Sequence, residues 1–336
     1  MPRNKAQPSP PARPPAPAFA KARSSQRTPS TPAPTVSARW LLMATSIAVL
    51  AAAACAWGAL CLLFWQGSWQ LLYHPASAVT RTPASLGLAF DPVGFATTEA
   101  GEPRLRGWWI QAAPGGRFSH YTMLTLHGQD GNLGDTVDAL AALHAAGLNV
   151  LAFDYRGYGQ SQFARPSEAR WREDAEWALQ YLTATRHVAA STIILDGSGL
   201  GANLALEIAA EHPELAGVVL RKPLEAPVDA IFRDPRARLV PARLLVRDRF
   251  DWKEPAAALA IPSLWFYEAA APGIGGPGQI ADAFQKVSWP KMSVWLTASP
   301  DAEKDQKDAL VRWLDDLPNK TRKVPVANQA AASPVD

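Results

Sequence analysis

A chain of 336 residues, 48% of them hydrophobic, is long enough to hold one large domain with its own core, which excludes a wholly disordered polypeptide. The net charge of +3 does not describe that domain: residues 1–39 carry Arg3, Lys5, Arg13, Lys21, Arg23, Arg27 and Arg39 and no acid, and +3 less this +7 leaves −4 for the rest. Nucleic-acid binding thereby loses its main support, and no nucleic-acid partner is expected.

The same 39 residues hold ten of the 30 prolines and show no apolar periodicity, so they are expected to form a disordered tail. Trp40 to Phe64 follows without a charge, and the next charged residue after Arg39 is Arg81. At 1.5 Å per residue those residues reach roughly 37 Å, more than the ~30 Å hydrocarbon core of a bilayer. A transmembrane helix over residues 40–65 is expected, with Trp40, Trp65, Trp69 and Tyr73 at its interfaces. The basic flank on its N-terminal side predicts a single-pass protein of the cytoplasmic membrane with the tail inside. The domain would lie outside, in the periplasm if the source is a Gram-negative bacterium. A cleaved signal peptide is the alternative, given the small residues Ala51 to Ala56, but the apolar run outlasts any such site. The only cysteines, Cys55 and Cys61, fall inside this span, so no disulfide is expected in the domain.

From about Leu88 short β-rich runs alternate with longer amphipathic stretches, the pattern of an α/β protein with a mostly parallel sheet flanked by helices. Strands are predicted near Leu105–Gln111, Tyr121–Leu126, Asn149–Phe153, Thr192–Leu195, Val218–Leu220, Ser263–Tyr267 and Ser293–Leu296. Helices are predicted near Asp135–Ala146, Ser167–Thr185, Ala202–Glu211, Ile280–Lys286 and Asp301–Leu314. Residues 221–260, rich in Arg and Pro, interrupt the alternation and read equally as a lid or as a solvated helical connection. The domain is expected over 66–318 and a loose tail over 319–336.

One run bears directly on chemistry: Ile193 to Asn203, with Gly197-Ser198-Gly199-Leu200-Gly201 at its centre, reads as strand, glycine turn and helix start. In the G-x-S-x-G elbow a serine stands midway between two glycines. Here Gly197 and Gly201 keep their places, the middle residue is Gly199, and Ser198 comes one residue early. The base of such a site follows late in the chain. The six histidines are His74, His120, His127, His144, His187 and His212, and none comes later.

With the motifs Gln70-Leu71-Leu72-Tyr73-His74-Pro75, His127-Gly128-Gln129-Asp130-Gly131-Asn132, Asp154-Tyr155-Arg156-Gly157-Tyr158-Gly159 and Asp248-Arg249-Phe250-Asp251, the chain resembles the alpha/beta-hydrolases over residues 68 to 316. Within that superfamily it resembles the membrane-anchored serine-aminopeptidase-like branch. The resemblance implies the alpha/beta-hydrolase fold after one transmembrane helix, with an oxyanion hole and cleft around His127, Gly128, Gln129, Gly197 and Leu200. It also implies that the triad slots hold Gly199, Ala271 and Asp301, none the usual residue, and that His127 is a buried scaffold histidine. Asp154 and Arg156 are expected to pair and fix their loop, with Gly157 and Gly159 serving tight turns.

These features favour a catalytically inactive, membrane-tethered protein whose former cleft holds a small-molecule or peptide ligand or a partner. The alternative is a serine hydrolase with a displaced nucleophile, Ser198, and His127 or Asp196 as its base. The sequence is compatible with both an enzyme and a non-catalytic binding protein. No metal-ligand spacing, dinucleotide fingerprint or phosphate loop is present, and no cofactor or metal is expected; Gly273-Ile274-Gly275-Gly276 lacks the strand-to-helix setting of such a loop.

Overall fold

The computed structural model describes residues 36–268, 279–288, 290–296 and 302–317. The chain divides into two units, Met1–Ala54, whose described part is the first half of one long helix, and Cys55–Asp336, which holds everything else. That helix, α1, runs Ala38–Gly67, two residues beyond the expected span at each end. It is long and apolar enough to cross a membrane, by length and composition, and its side chains are mostly exposed.

Eight strands form one sheet: β1 (Asp91–Thr97), β2 (Pro103–Ile110), β3 (Thr122–Leu126), β4 (Asn149–Asp154), β5 (Ile193–Ser198), β6 (Gly217–Arg221), β7 (Ser263–Glu268) and β8 (Lys291–Leu296). Their order is β8-β7-β6-β5-β3-β4-β2-β1. The β2 strand pairs antiparallel with both β1 and β4, and all other pairs are parallel. The mostly parallel sheet expected from the alternating pattern is therefore present. The edge strand β1 was not expected, because Pro92 and Gly94 interrupt its alternation. An edge tolerates proline, because an edge strand has a neighbour on one side only and the N–H groups of its other side are not needed for pairing.

The helices are α2 (Val137–Ala145), α3 (Glu168–Gln180), α4 (Leu200–Glu211), α5 (Asp229–Arg233), α6 (Ala242–Leu245), α7 (Lys253–Ala258), α8 (Gln279–Lys286) and α9 (Ala302–Asp316). Successive strand residues face opposite layers. Leu124, Leu151, Leu195 and Val218 enter a core with Trp171 of α3 and Leu204 of α4; Met123, Val150, Ile194 and Val219 enter another with Leu140 of α2 and Trp313 of α9. Strands buried on both faces explain their unbroken apolar runs. The helix expected over Ser167–Thr185 changes at Tyr181 into a wider π turn that continues to Thr185. Residues 221–260 form α5, α6 and α7 with connecting turns; α5 packs near the end of α1, and α7 against α4.

The strand order reverses direction around β3, whose two neighbours β4 and β5 follow it in sequence on opposite sides. At such a switch point the loops leaving the carboxyl ends diverge and leave a crevice. The loops that begin at His127 and at Gly199 leave adjacent strands there, with Leu126 paired to Gly197.

Candidate active-site cleft

Gly199 forms the apex of the turn between β5 and α4, with φ +55° and ψ −122°. Side chains other than hydrogen are disfavoured at that backbone geometry, which is why glycine suits it. The flanking glycines have a different task. A Cβ on Gly197 would strike the start of α4 near Ala202, and one on Gly201 would run into the carbonyls of Leu126 and His127. These two residues let α4 press against β5 and β3; Gly199 alone stands where a reacting side chain would project.

That space is occupied from the opposite loop. The Gln129 side-chain oxygen accepts the Leu200 backbone N–H at 3.2 Å and lies 3.2 Å from where a Cβ on Gly199 would stand. The Gln129 amide nitrogen donates to Asp130 Oδ2 at 3.0 Å, so an acceptor at one end and a donor at the other fix the amide orientation. Asp130 in turn meets His74 Nδ1 at 2.7 Å. The Gln129 main-chain carbonyl accepts from Tyr158 Oη and from the His74 N–H, each at 2.9 Å. Leu200 N–H is the donor an elbow would aim at a developing oxyanion. Here it is satisfied by a neutral amide oxygen of the chain itself. Resemblance had put Gln129 at the cleft, but the reach of its side chain across to Leu200 had no sequence signal.

Ser198 lies at the end of β5, exposed, with Arg221 as its partner residue on β6. By strand alternation it shares a face with Asp196, the other base considered for it. Asp196 is buried and receives the Arg221 guanidinium at 2.7 Å; burial raises its pKa while Arg221 pulls it down. An ion pair already claims that carboxylate.

His127 is enclosed by Tyr155, Tyr158 and Trp171, with ring centroids 4.6 to 6.3 Å away. Its Nδ1 meets the Gly128 carbonyl at 2.8 Å, and desolvation lowers its pKa to about 4, so the ring is neutral at pH 7. Its Nε2 is 3.6 Å from Asp154 Oδ1, beyond hydrogen-bond distance. Asp154 accepts the Leu133 N–H at 2.7 Å, and burial raises its pKa to about 7 against the pull of that bond.

The expected pairing of Asp154 with Arg156 is absent. Arg156 turns instead to α3, where its Nε donates to Asp174 at 2.6 Å and its Nη2 to Glu173. Asp154 and Arg156 flank the end of β4, so their spacing suggested a local bridge. The buried Asp174 supplied a better partner through contact between distant segments. The motifs around residues 70–75 and 248–251 also join: Tyr73 Oη donates to Asp248 at 2.8 Å, and Tyr73 and Phe250 pack edge-on against Trp171. The proposed acid and histidine slots, Ala271 and Asp301, lie outside the described residues, as do Gly273–Gly276.

Comparison with known proteins places this geometry. Residues 119–251, from just before β3 to the Asp248–Asp251 motif, match the serine aminopeptidase, S33, family model. An uncharacterized protein of Mycobacterium tuberculosis is 32% identical over 205 residues, 60% of this chain and 69% of that one. Human alpha/beta hydrolase domain-containing protein 17C is 32% identical over 143 residues, 42% of each chain. Among solved structures, a Pyrococcus furiosus esterase superposes with a TM-score of 0.56 at 18% identity, covering 73% of this chain and 98% of that one. An alpha-beta hydrolase from Vibrio vulnificus gives 0.55 at 21%, covering 68% and 82%. The strand order, the glycine elbow between β5 and α4 and these matches agree: the chain has the alpha/beta-hydrolase fold and belongs to that superfamily, in the serine aminopeptidase S33 family.

Proposed function

We propose that this chain is a membrane-anchored member of its family that has lost serine hydrolysis and acts by binding a ligand or a partner in the former cleft. The observation that carries the reading is the pairing of a side-chain-free apex, Gly199, with an elbow donor, Leu200 N–H, already taken by Gln129. The neutral, enclosed His127 and the absence of any histidine after His212 support it. Loss of an essential triad member costs about a million-fold in kcat, roughly 8 kcal/mol of transition-state stabilisation. What survives such a loss is modest acceleration by oxyanion donors and binding.

The apolar α1 supports the anchor, and the basic residues before it support a cytoplasmic N-terminus with the domain on the other side of the cytoplasmic membrane. The names of its relatives and neighbours point to acyl, ester or peptide compounds as the chemistry of a retained ligand.

Fluorophosphonate labelling of the full chain in detergent, with mass spectrometry to locate adducts, tests this reading. No adduct is expected while an active serine hydrolase in the same tube is labelled. An adduct on Ser198, together with ester turnover abolished by Ser198→Ala, would overturn it and establish a displaced nucleophile.

A further inference from the structure

The Arg- and Pro-rich segment that interrupts the α/β alternation is spent neither on the sheet nor on the elbow. Between residues 233 and 247 it carries five arginines, Arg233, Arg236, Arg238, Arg243 and Arg247, against one acid, Asp234, and all five are exposed. Arg236 is neutralised by Asp234, and Arg233 lies 3.6 Å from Asp229. Arg243 stacks on Phe232. Arg238, Arg243 and Arg247 have no carboxylate partner among the described residues.

Apolar side chains project between these charges. Leu239 is 61% exposed and Leu244 82% exposed. Both belong to the segment that packs on the last third of α1. The Trp57 indole donates to the Leu239 carbonyl at 3.1 Å, and a groove of about 280 Å³ runs between Leu60, Leu63 and Phe64 on one side and Arg236, Leu239 and Val240 on the other. A second loop reaches the same end of the helix. Arg165 donates to the Trp65 carbonyl at 2.6 Å and lies over the Trp65 ring, and two residues earlier Phe163 is 94% exposed.

Helix length says where such a surface would sit. Thirty residues make about 45 Å, against roughly 30 Å of hydrocarbon. The surplus of about 15 Å corresponds to roughly ten residues, the stretch from Trp57 to Gly67 if the span begins beside Arg39. This is the stretch that Leu239 and Arg165 touch. Tryptophans at positions 57 and 65 suit the headgroup level.

We infer that residues 233–247, with Phe163, form a docking surface for an anionic phospholipid bilayer, in which Leu239, Leu244 and Phe163 enter the interface, Arg238, Arg243 and Arg247 meet phosphate headgroups, and an acyl chain lies in the groove against Leu60 and Phe64. The inference rests on the membrane-anchor reading above. Charge selects the occupant: a partner of apolar chemistry alone would leave three unpaired guanidinium groups desolvated, whereas anionic headgroups satisfy them at the depth where the leucines are buried. The arginines lie far along the chain from α1, outside the stretch that sets membrane orientation, so they do not conflict with a basic N-terminus on the opposite side. The consequence is a second attachment that holds the domain against the membrane beside its anchor.

The test is depth-dependent quenching in the full chain with Cys55 and Cys61 replaced by serine, reconstituted in vesicles of phosphatidylcholine with and without phosphatidylglycerol. A single cysteine labelled with a polarity-sensitive fluorophore is placed in turn at Leu244, at Val49 in α1 and at the exposed Lys304 of α9, and doxyl-labelled lipids are added as quenchers. Quenching is expected at Val49 and at Leu244 but not at Lys304, and at Leu244 it should increase with phosphatidylglycerol. Arg238→Gln with Arg247→Gln should weaken the Leu244 signal, by about fivefold in the docking equilibrium for each charge removed. Quenching at Val49 without quenching at Leu244 would overturn the docking surface and leave the anchor standing. Loss of both would overturn the anchor itself. A blue-shifted Leu244 label that doxyl lipids do not quench would mean that a protein covers the patch, which overturns the lipid assignment. Equal quenching with and without phosphatidylglycerol would overturn the role given to the arginines.

Discussion

The loop that leaves β4 and the turn that leaves β5 stand one strand apart from β3 on either side, and they are built on opposite plans. After β4 the polar groups are committed to the fold: Arg156 binds Asp174 and Glu173, Asp154 takes the Leu133 N–H, and Ser161 donates to the Asp154 carbonyl. Aromatic rings close over them, with Tyr155 stacked on Trp171 at 4.1 Å. After β5 the apex has no side chain, and its donor is occupied by an amide from the neighbouring loop. The frame of the fold is built from committed polar and aromatic contacts where it supports the sheet, whereas the apex of the elbow turn is a glycine, and on the proposed reading it is the chemistry-bearing position that has been emptied. Removing a group should therefore be costly after β4 and nearly silent after β5.

The largest effect is expected from Arg156→Ala. Asp174 is fully buried, and deleting its partner leaves an uncompensated charge inside the protein. A loss of about 3–5 kcal/mol is expected, read as a fall in the denaturant midpoint of the full chain in detergent. Removing both charges with Arg156→Met and Asp174→Leu should restore a good part of it. A small effect of Arg156→Ala alone would put the loop after β4 on the same footing as the elbow.

Gly199→Ser is the converse experiment, adding back the residue type the elbow frame suggests. At φ +55° a side chain costs of order 1–3 kcal/mol, and the new Cβ would approach Gln129 Oε1 at 3.2 Å. A lower melting temperature with no ester hydrolysis is expected, since His127 remains neutral and enclosed. An unchanged or raised melting temperature would refute the account of Gly199 as a relief of strain, and new turnover would refute the account of the cleft as lacking a base.

Much of this contrast was legible in the chain itself. The apolar runs of β3 to β7 and the glycines of the elbow identify the sheet and its central turn, because both depend on residues adjacent in sequence. The β1 strand was hidden because its pairing, rather than its composition, makes it a strand. The Arg156–Asp174 pair and the Gln129–Leu200 bond were hidden for a related reason: each joins segments brought together only when the sheet is assembled. Local spacing favoured Asp154 for Arg156, and burial beside α3 decided otherwise.

A smaller effect separates two of the buried titratable groups of that frame, Asp154 and His127. Asp154 has its pKa raised to about 7 by burial, so the folded state holds a proton the unfolded state has released above its ordinary pKa of 3.8. That contribution is complete below pH 4 and is lost as the pH rises through 7. His127 has its pKa lowered to about 4, so its contribution is present above pH 6.5 and lost as the pH falls through 4. Between about pH 4 and 6.5 the two oppose each other. Relative to the parent protein, Asp154→Asn should make stability rise more steeply with pH across that window, and His127→Gln should make it fall. Denaturation midpoints at several pH values would show both; slopes of the same sign would mean that the two groups titrate as one unit.

Gln129→Ala should have the smallest effect on stability. The bond to Leu200 is long, at 3.2 Å, and its loss leaves a partly buried N–H that water can satisfy, so a change of no more than about 1 kcal/mol is expected. The informative readout is residual hydrolysis of an activated ester such as p-nitrophenyl acetate. If the amide oxygen blocks the hole, removing it frees a backbone donor for a developing oxyanion, and the faint background rate should rise. If instead Gln129 swings its NH₂ toward a substrate, the same substitution removes a donor and the rate should fall. The hydrogen bond from Gln129 Nε2 to Asp130 argues for the first outcome, because it holds the NH₂ away from Leu200 and leaves only the oxygen facing the elbow. A rise in rate would therefore show that the Gln129 amide closes the donor beside the Gly199 apex.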